Sequence, residues 1–351
     1  MSGRWVVVRA GHGVSCRLDR RVPFVLLALA GLTCAGLVLS IGVGEYNISP
    51  LDVVRAILGM QTGDPQHPFV VNTLRLPRAL VALMVGFALG VAGAIMQGIT
   101  RNPLASPELT GVVAGASLAA VTLIVLVPSA SISLLPPAAL VGAAVVAAGV
   151  YVLAWKGGDS PIRLVLVGVG LTSVLGALTT LMVTFGDINQ VSQALVWLTG
   201  SVHGRSWEEV RAMLPWLLLL LPAAQLMATR IDLLALGEEV ARGLGSRVGL
   251  DRAILIALAA ALTAASVAVA GAVGFVGLMA PHIARRLVGN GHQGLLPAAG
   301  LAGGLVMVLA DLVGKTVFAP IEIPVGVVTA AVGSPFLLYL LYRTARYGGK
   351  L

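Results

Sequence analysis

Residues 22–44, VPFVLLALAGLTCAGLVLSIGVG, run for 23 positions without a charged side chain. The hydrocarbon core of a bilayer is about 30 Å thick, and a helix needs about 20 apolar residues to cross it. Comparable runs recur along the chain, and that repetition limits the possible folds more than any other feature. Spans are expected near 22–44, 79–99, 110–128, 136–155, 161–185, 212–229, 253–272, 274–288, 295–317 and 325–342, ten in all. The runs are continuous and do not alternate, so they read as helices rather than barrel strands. Composition agrees: 58% of the 351 residues are hydrophobic and 11% charged, against about 25% charged in a soluble domain. The mean hydropathy is +0.96.

Arg20 and Arg21 ahead of the first run resemble the basic start of a signal segment, faintly a twin-arginine one. The run is too long for a signal core and no A-x-A site follows, so 22–44 reads as the first span. Cys16 and Cys34 have no CxxC spacing, and neither a disulfide framework nor a thiolate metal site is expected.

Basic residues orient the chain. With the N-terminus inside, 17 of the 23 lysines and arginines fall on the inner side. The outer six are Arg55, Arg75, Arg78, Arg205, Arg211 and Lys315. Inner loops enriched in Lys and Arg select this orientation. The same asymmetry accounts for the net charge of +8, so nucleic acid is not an expected partner. The expected fold class is therefore all-α: a polytopic membrane protein with about ten transmembrane helices and both termini cytoplasmic. A single membrane domain is expected over 1–351, with a basic tail at 1–21 and a polar inner loop at 231–252.

Three connections carry local signals. ISPLDVVRAILG reads as a short surface helix with Ser49 as N-cap and Pro50 at its first position. WLTGSVHGRSWEEV, in the outer segment 186–211, reads as an aromatic-bearing interfacial stretch. The inner loop holds helix-forming residues through Arg242, then Gly243 and Gly245 as stop signals.

Motifs of soluble chemistry are lacking. VGKT at 313–316 has Leu309 where a phosphate loop requires glycine, and no strand precedes it. His12, His67, His203, His282 and His292 are scattered without metal-ligand spacing. No Ser/His/Asp or paired-carboxylate set converges. Asp311 lies within a span, where an ionisable residue is a functional hint. Its spacing to Lys315 equally suits an i,i+4 ion pair. The spacings Gly86-xxx-Gly90, Gly111-xxx-Gly115 and Gly300-xxx-Gly304 point to close helix packing. In QGITRNPLASPELTGVVAGAS, Pro103 and Pro107 are expected to end one helix and start another as a kinked re-entry.

Five ordered segments resemble one family: RLPR at 75–78, GAIMQGITRNPLASPELTGVVAGAS at 93–117, GEEVARGLG at 237–245, GFVGLMAPHIARRLVG at 274–289 and IPVGVVTAAVGSPFLLYLL at 323–341. Over nearly its whole length the chain is similar to the permease subunits of type II ATP-binding-cassette importers, the ferric-siderophore, haem and vitamin B12 permeases. NPLASPELTG and WLTGSVHGRSWEEV are most similar to the ferric-siderophore branch. The resemblance implies a ten-helix subunit in a bacterial cytoplasmic (inner) membrane that moves a ferric siderophore and does not itself hydrolyse ATP. It implies two cytoplasmic ATP-binding subunits, a second permease subunit, identical or homologous, and a periplasmic or lipid-anchored substrate-binding protein. It carries coupling to the ATPase onto Glu238, Glu239 and Arg242. It carries docking of the binding protein onto Arg75, Arg78 and Lys315. Relatives have arginine at the last of these, so the charge is kept and the bidentate fork lost. No cofactor or resident metal is implied, since the iron arrives inside its chelator. Haem or vitamin B12 import by the same architecture is the alternative. A secondary transporter driven by an ion gradient is the rival, with Asp311 as its candidate coupling acid.

Overall fold

The computed structural model describes residues 5–10, 14–19, 21–155 and 161–347. Two valine-bearing strands, β1 (Trp5–Ala10) and β2 (Val14–Asp19), pair antiparallel in the stretch expected as a plain basic tail. After them, the described residues form helices joined by turns and loops.

The first hairpin of helices is α1 (Arg21–Gly42) and a long second helix. The amphipathic α2 (Pro50–Ile57) lies between them. Ser49 caps α2 as expected, its Oγ accepting from the backbone N–H of Asp52 at 3.1 Å. The second helix runs from α3 (His67–Phe69) through a π-helical turn (Val70–Arg75) into α4 (Leu76–Thr100). α5 (Val112–Leu126), α6 (Leu135–Trp155), α7 (Pro161–Phe185), α8 (Ile188–Leu198) and α9 (Trp207–Leu226) follow. The polar loop expected on the inner side folds as α10 (Ala228–Ala235) and α11 (Glu238–Gly243), and Gly245 closes it with φ of +84°. The chain then completes α12 (Val248–Ala270), α13 (Val276–Val288), α14 (His292–Thr316) and α15 (Val325–Tyr347).

α4 is the central helix. Its apolar window is 83% buried, whereas that of α7 is 11% buried. α14, α12, α13 and α9 surround it. Glycine makes this possible, as small residues let membrane helices approach closely. A methyl group at Gly86, Gly90 or Gly93 would collide with the backbone oxygen of Gly303, Ala299 or Gly277, respectively.

Among the described residues, eight helices are long and apolar enough to cross a membrane. The expected spans at 110–128 and 274–288 are α5 and α13, with 15 and 13 residues. At 1.5 Å per residue these are roughly 22 and 20 Å long, short of a full crossing. The packing shows why. A short 3₁₀ turn (Pro107–Thr110) leads into α5. Pro107 packs against Gly277, where a methyl would meet its Cδ at 2.7 Å and the Leu89 oxygen at 3.2 Å. Leu89 is midway along α4, so α13 and the turn that opens α5 both begin at mid-depth. The re-entry expected from Pro103 and Pro107 is present, and it explains the shortness of both helices. Non-helical backbone at membrane depth is tolerated where protein covers it, and Ala105, Ser106 and Val273 are buried.

Candidate functional site

At the end of the bundle that the charge asymmetry assigns outside, the three expected cations come together, each bound within the chain. Arg75 is the last residue of the π turn. Its Nη1 donates to the Ile41 oxygen at 2.7 Å and its Nη2 to the Tyr46 oxygen at 2.7 Å. Lys315 donates to the backbone oxygen of Ser40 and to its Oγ. Ser40 and Ile41 belong to the last turn of α1, whose carbonyls have no partner inside the helix. Cations there are stabilised by the helix dipole, by about 0.3–1 kcal/mol each.

Arg78 is committed elsewhere. Nε donates to Asp311 Oδ2 at 3.2 Å and Nη2 to Oδ1 at 2.8 Å, a bidentate pair joining α4 to α14. The Asp311 side chain is 3% exposed and that of Arg78 14%. Nη1 of Arg78 reaches Glu322 at 2.9 Å, and Glu322 Oε2 accepts from Nδ1 of His203 at 2.6 Å. The expected i,i+4 pair of Asp311 with Lys315 is replaced, because Arg78 supplies a planar fork and Lys315 turns to α1. Burial works against ionisation of Glu322, yet Arg78 and His203 outweigh it and hold the carboxyl below the usual range.

At the opposite end, the two glutamates of GEEVARGLG separate. Glu238 Oε1 accepts from Arg252 Nη2 at 2.7 Å, and its Oε2 lies 3.4 Å from Arg242 Nη2. The Arg252 side chain is 7% exposed, so Glu238 ties α11 down onto α12. Glu239 is exposed beside Val240 and Leu244. Below them, Ser246 donates to Asp251 at 2.6 Å.

Sequence reasoning missed two groups. Glu108 sits where the re-entry meets α13, and its Oε1 accepts from the Phe275 N–H at 3.2 Å. Phe275 has φ of +66° and forms the N-cap of α13. Asp232 and His292 pair at 2.6 Å, 60 residues apart. Neither contact has a local sequence signal. Among the described residues, no group of three or more His, Cys, Asp or Glu is placed to hold a metal ion.

The profile of the FecCD transport family matches residues 32–343. The achromobactin transport system permease protein CbrC of Dickeya dadantii (strain 3937) is 46% identical over 340 residues, covering 97% of this chain and 96% of that protein. The Fe(3+)-citrate import system permease protein YfmE of Bacillus subtilis (strain 168) is 43% identical over 332 residues, covering 94% and 98%. A solved metal-chelate type ABC transporter in an inward-facing conformation superposes with a TM-score of 0.83 at 32% identity, covering 92% of this chain and 99% of that one.

Proposed function

The chain belongs to the FecCD transport family, and on that footing we propose that it is the membrane permease of an importer for ferric chelates of the siderophore or citrate kind. The observation that carries this reading is the end-to-end match to permeases whose names specify achromobactin and Fe(3+)-citrate. The chain is the transport subunit, and ATP is hydrolysed by a separate partner.

The proposed assembly has two cytoplasmic ATP-binding subunits, a substrate-binding protein outside, and a second permease subunit, in the cytoplasmic membrane of a bacterium. The exposure of α7 supports the second copy, because such a helix has surface to spare. We further propose ten crossings with both termini inside, α5 and α13 being completed by the buried non-helical stretches before them. The whole of 1–351 then acts as one permease domain. Residues 231–252 are its coupling loop, with Glu238, Glu239 and Arg242 at the ATPase. The rim of Arg75, Arg78 and Lys315 is the docking face for acidic patches on the binding protein.

Against an ion-driven transporter, Asp311 is neutralised by Arg78 and is not a free coupling acid. The deciding experiment is uptake of iron-labelled ferric citrate and ferric siderophores, beside haem and cobalamin, into cells with and without this chain. Loss of ferric-chelate uptake alone supports the reading. Loss of haem or cobalamin uptake instead reassigns the cargo. Uptake that persists without the partner ATPase overturns it.

A further inference from the structure

A cavity of about 630 Å³ opens at the inner end of the bundle, lined by Gln97, Arg101, Asp232, Arg285, Asn290 and His292 among others. Four elements build it: the end of α4, α10, the end of α13 and the start of α14. Its volume is within the roughly 300–1,000 Å³ of small-group binding sites. Gly98 lets Ile231 and His292 pack against α4, since a methyl there would collide with Ile231 Cγ2 and stand 2.8 Å from His292 Nε2.

The chemistry of the lining is unbalanced. Arg101 and Arg285 make no ion pair or side-chain hydrogen bond among the described residues, and Arg285 is half-buried. The one acid, Asp232, is engaged by the ring and backbone N–H of His292. At the floor, Gln97 and His292 are 3% and 4% exposed, and Gln97 Oε1 and His292 Nε2 have no partner. With Nδ1–H of His292 donating to Asp232, both atoms are acceptors that an anion does not satisfy, and the excess charge of the lining comes from the two arginines. The net demand of the site is for an anion.

The bland account is that arginines at an inner helix end obey the positive-inside rule and meet lipid phosphates. It explains Arg286, which is exposed on the surface. It leaves unexplained two arginines that share one cavity with a single acid already engaged by His292. Location decides between the sources. Residues 232–236 of the wall belong to the coupling loop, and Arg101 adopts a left-handed conformation, φ 53°, that ends α4 beside Gly237. A methyl on Gly237 would lie 3.6 Å from Arg101 Nη1, so the guanidinium rests on the residue that opens α11.

We propose that this cavity is a socket for an acidic side chain of the ATP-binding subunit, with Arg101 and Arg285 holding its carboxylate. This rests on the reading that an ATPase docks under residues 231–252. The socket lies beside the coupling helix and gives the ATPase a second, charge-matched point of attachment, so that movement is passed to α4 and α14 directly.

The test uses the permease co-expressed with its ATPase. Arg101→Lys and Arg285→Lys keep the charge and supply an amine to a chain that has only three lysines, Lys156, Lys315 and Lys350. Treatment with a water-soluble carbodiimide should then form an amide between the new lysine and an Asp or Glu of the ATPase, identified by peptide mass spectrometry. Removing one partner of a buried charged contact costs enough that Arg101→Glu with Arg285→Glu should weaken ATPase association by roughly thirtyfold or more. Membrane insertion should be unchanged. A cross-link to Asp232 or another acid of this chain, in place of the ATPase, overturns the socket. So does normal ATPase association in the double reversal accompanied by loss of co-purifying anionic phospholipid, which assigns the cavity to a headgroup. If the wild-type permease itself retains no ATPase, the underlying reading of the coupling loop fails, an outcome distinct from loss of the socket alone.

Discussion

Arg78 and Asp311, 233 residues apart, form a bidentate pair with a closest approach of 2.8 Å, between α4 and α14. The acid is almost fully buried. Breaking such a pair strands one charge, at a cost of about 3–5 kcal/mol, whereas replacing both members by apolar groups is often neutral. Arg78→Met is therefore expected to lower the thermal midpoint of the detergent-purified subunit sharply. Arg78→Met with Asp311→Leu should recover most of the loss. The same double variant tests docking, because it removes the cation while keeping the fold. Weaker, less salt-sensitive association of the binding protein would support a docking role for Arg78. Unchanged association would leave Arg78 a purely internal clasp. Arg78→Glu is a poor probe, since it would place a third acid against Asp311 and Glu322.

Backbone contact between helices predicts a graded glycine series. Gly93→Ala would drive a methyl into the Gly277 oxygen, where neither neighbour can yield without moving α13. Overpacking of this kind costs about 1–3 kcal/mol or more. Gly31→Ala meets nothing within 4 Å and should be neutral or slightly stabilising, as alanine favours helix. Thermal unfolding of the two variants side by side checks this, and equal midpoints would contradict the packing described for α4.

Signals that act within a few residues were readable before the fold was known. Ser49 and Pro50 open α2, Pro107 opens the turn before α5, and Gly243 and Gly245 end α11, each through local backbone chemistry. Long apolar runs located the full-length helices for the same reason. What could not be read was set by three-dimensional proximity. Lys315 was the nearest base to Asp311 along the helix, yet Arg78 arrives from another helix with a better fork. Glu108 looks like a loop acid in NPLASPELTG, and only the descent of α13 beside it gives it the Phe275 N–H as a partner. The count of ten runs was visible, but hydropathy cannot tell a full crossing from a helix that starts at mid-depth. Glu238 and Glu239 are adjacent and chemically alike, and only Arg252 separates their roles.

Glu322, in the loop after α14, gives a pH signature. Arg78 and His203 hold its carboxyl below the usual range, so the folded chain binds this proton less tightly than the unfolded chain. Its contribution to stability is then present above the ordinary 4.5 and is lost as pH falls through the folded value. Unfolding of wild type and Glu322→Gln over a pH series should show the wild type losing stability relative to the variant as pH decreases. Parallel curves would mean that Glu322 ionises in the fold as it does outside it.

The two glutamates of the proposed coupling loop should respond differently. Glu238→Gln weakens a charged hydrogen bond to a buried arginine, worth about 1.5–3 kcal/mol. It should loosen α11, measurable as faster proteolysis between α10 and α12. Glu239 makes no ion pair or side-chain hydrogen bond among the described residues, so Glu239→Gln should leave proteolysis unchanged. If Glu239 contacts the ATPase, Glu239→Arg should reduce co-purified ATPase and stimulated hydrolysis without altering the protease pattern. Normal coupling in that variant would confine the role of the pair to Glu238.

Orientation is the premise under both faces, and it has a direct test. The inner loop and the outer loop each need a cysteine that reacts without disturbing the fold. Ser246 is unsuitable, being buried at 6% exposure and bonded to Asp251. Ser206 is unsuitable as well, because it caps α9 in a reciprocal box with Glu209, and loss of such a cap costs about 1 kcal/mol. Val240 on α11, 50% exposed, and the exposed Glu208 at the start of α9 are better sites. In a background lacking Cys16 and Cys34, an impermeant maleimide applied to intact spheroplasts should label Glu208→Cys promptly. Val240→Cys should be labelled only after the membrane is opened. The reverse pattern would place Arg101, Arg285 and the coupling loop outside, where no ATPase can reach them. The socket and the coupling roles would then fall together, while the helix packing around α4 would stand.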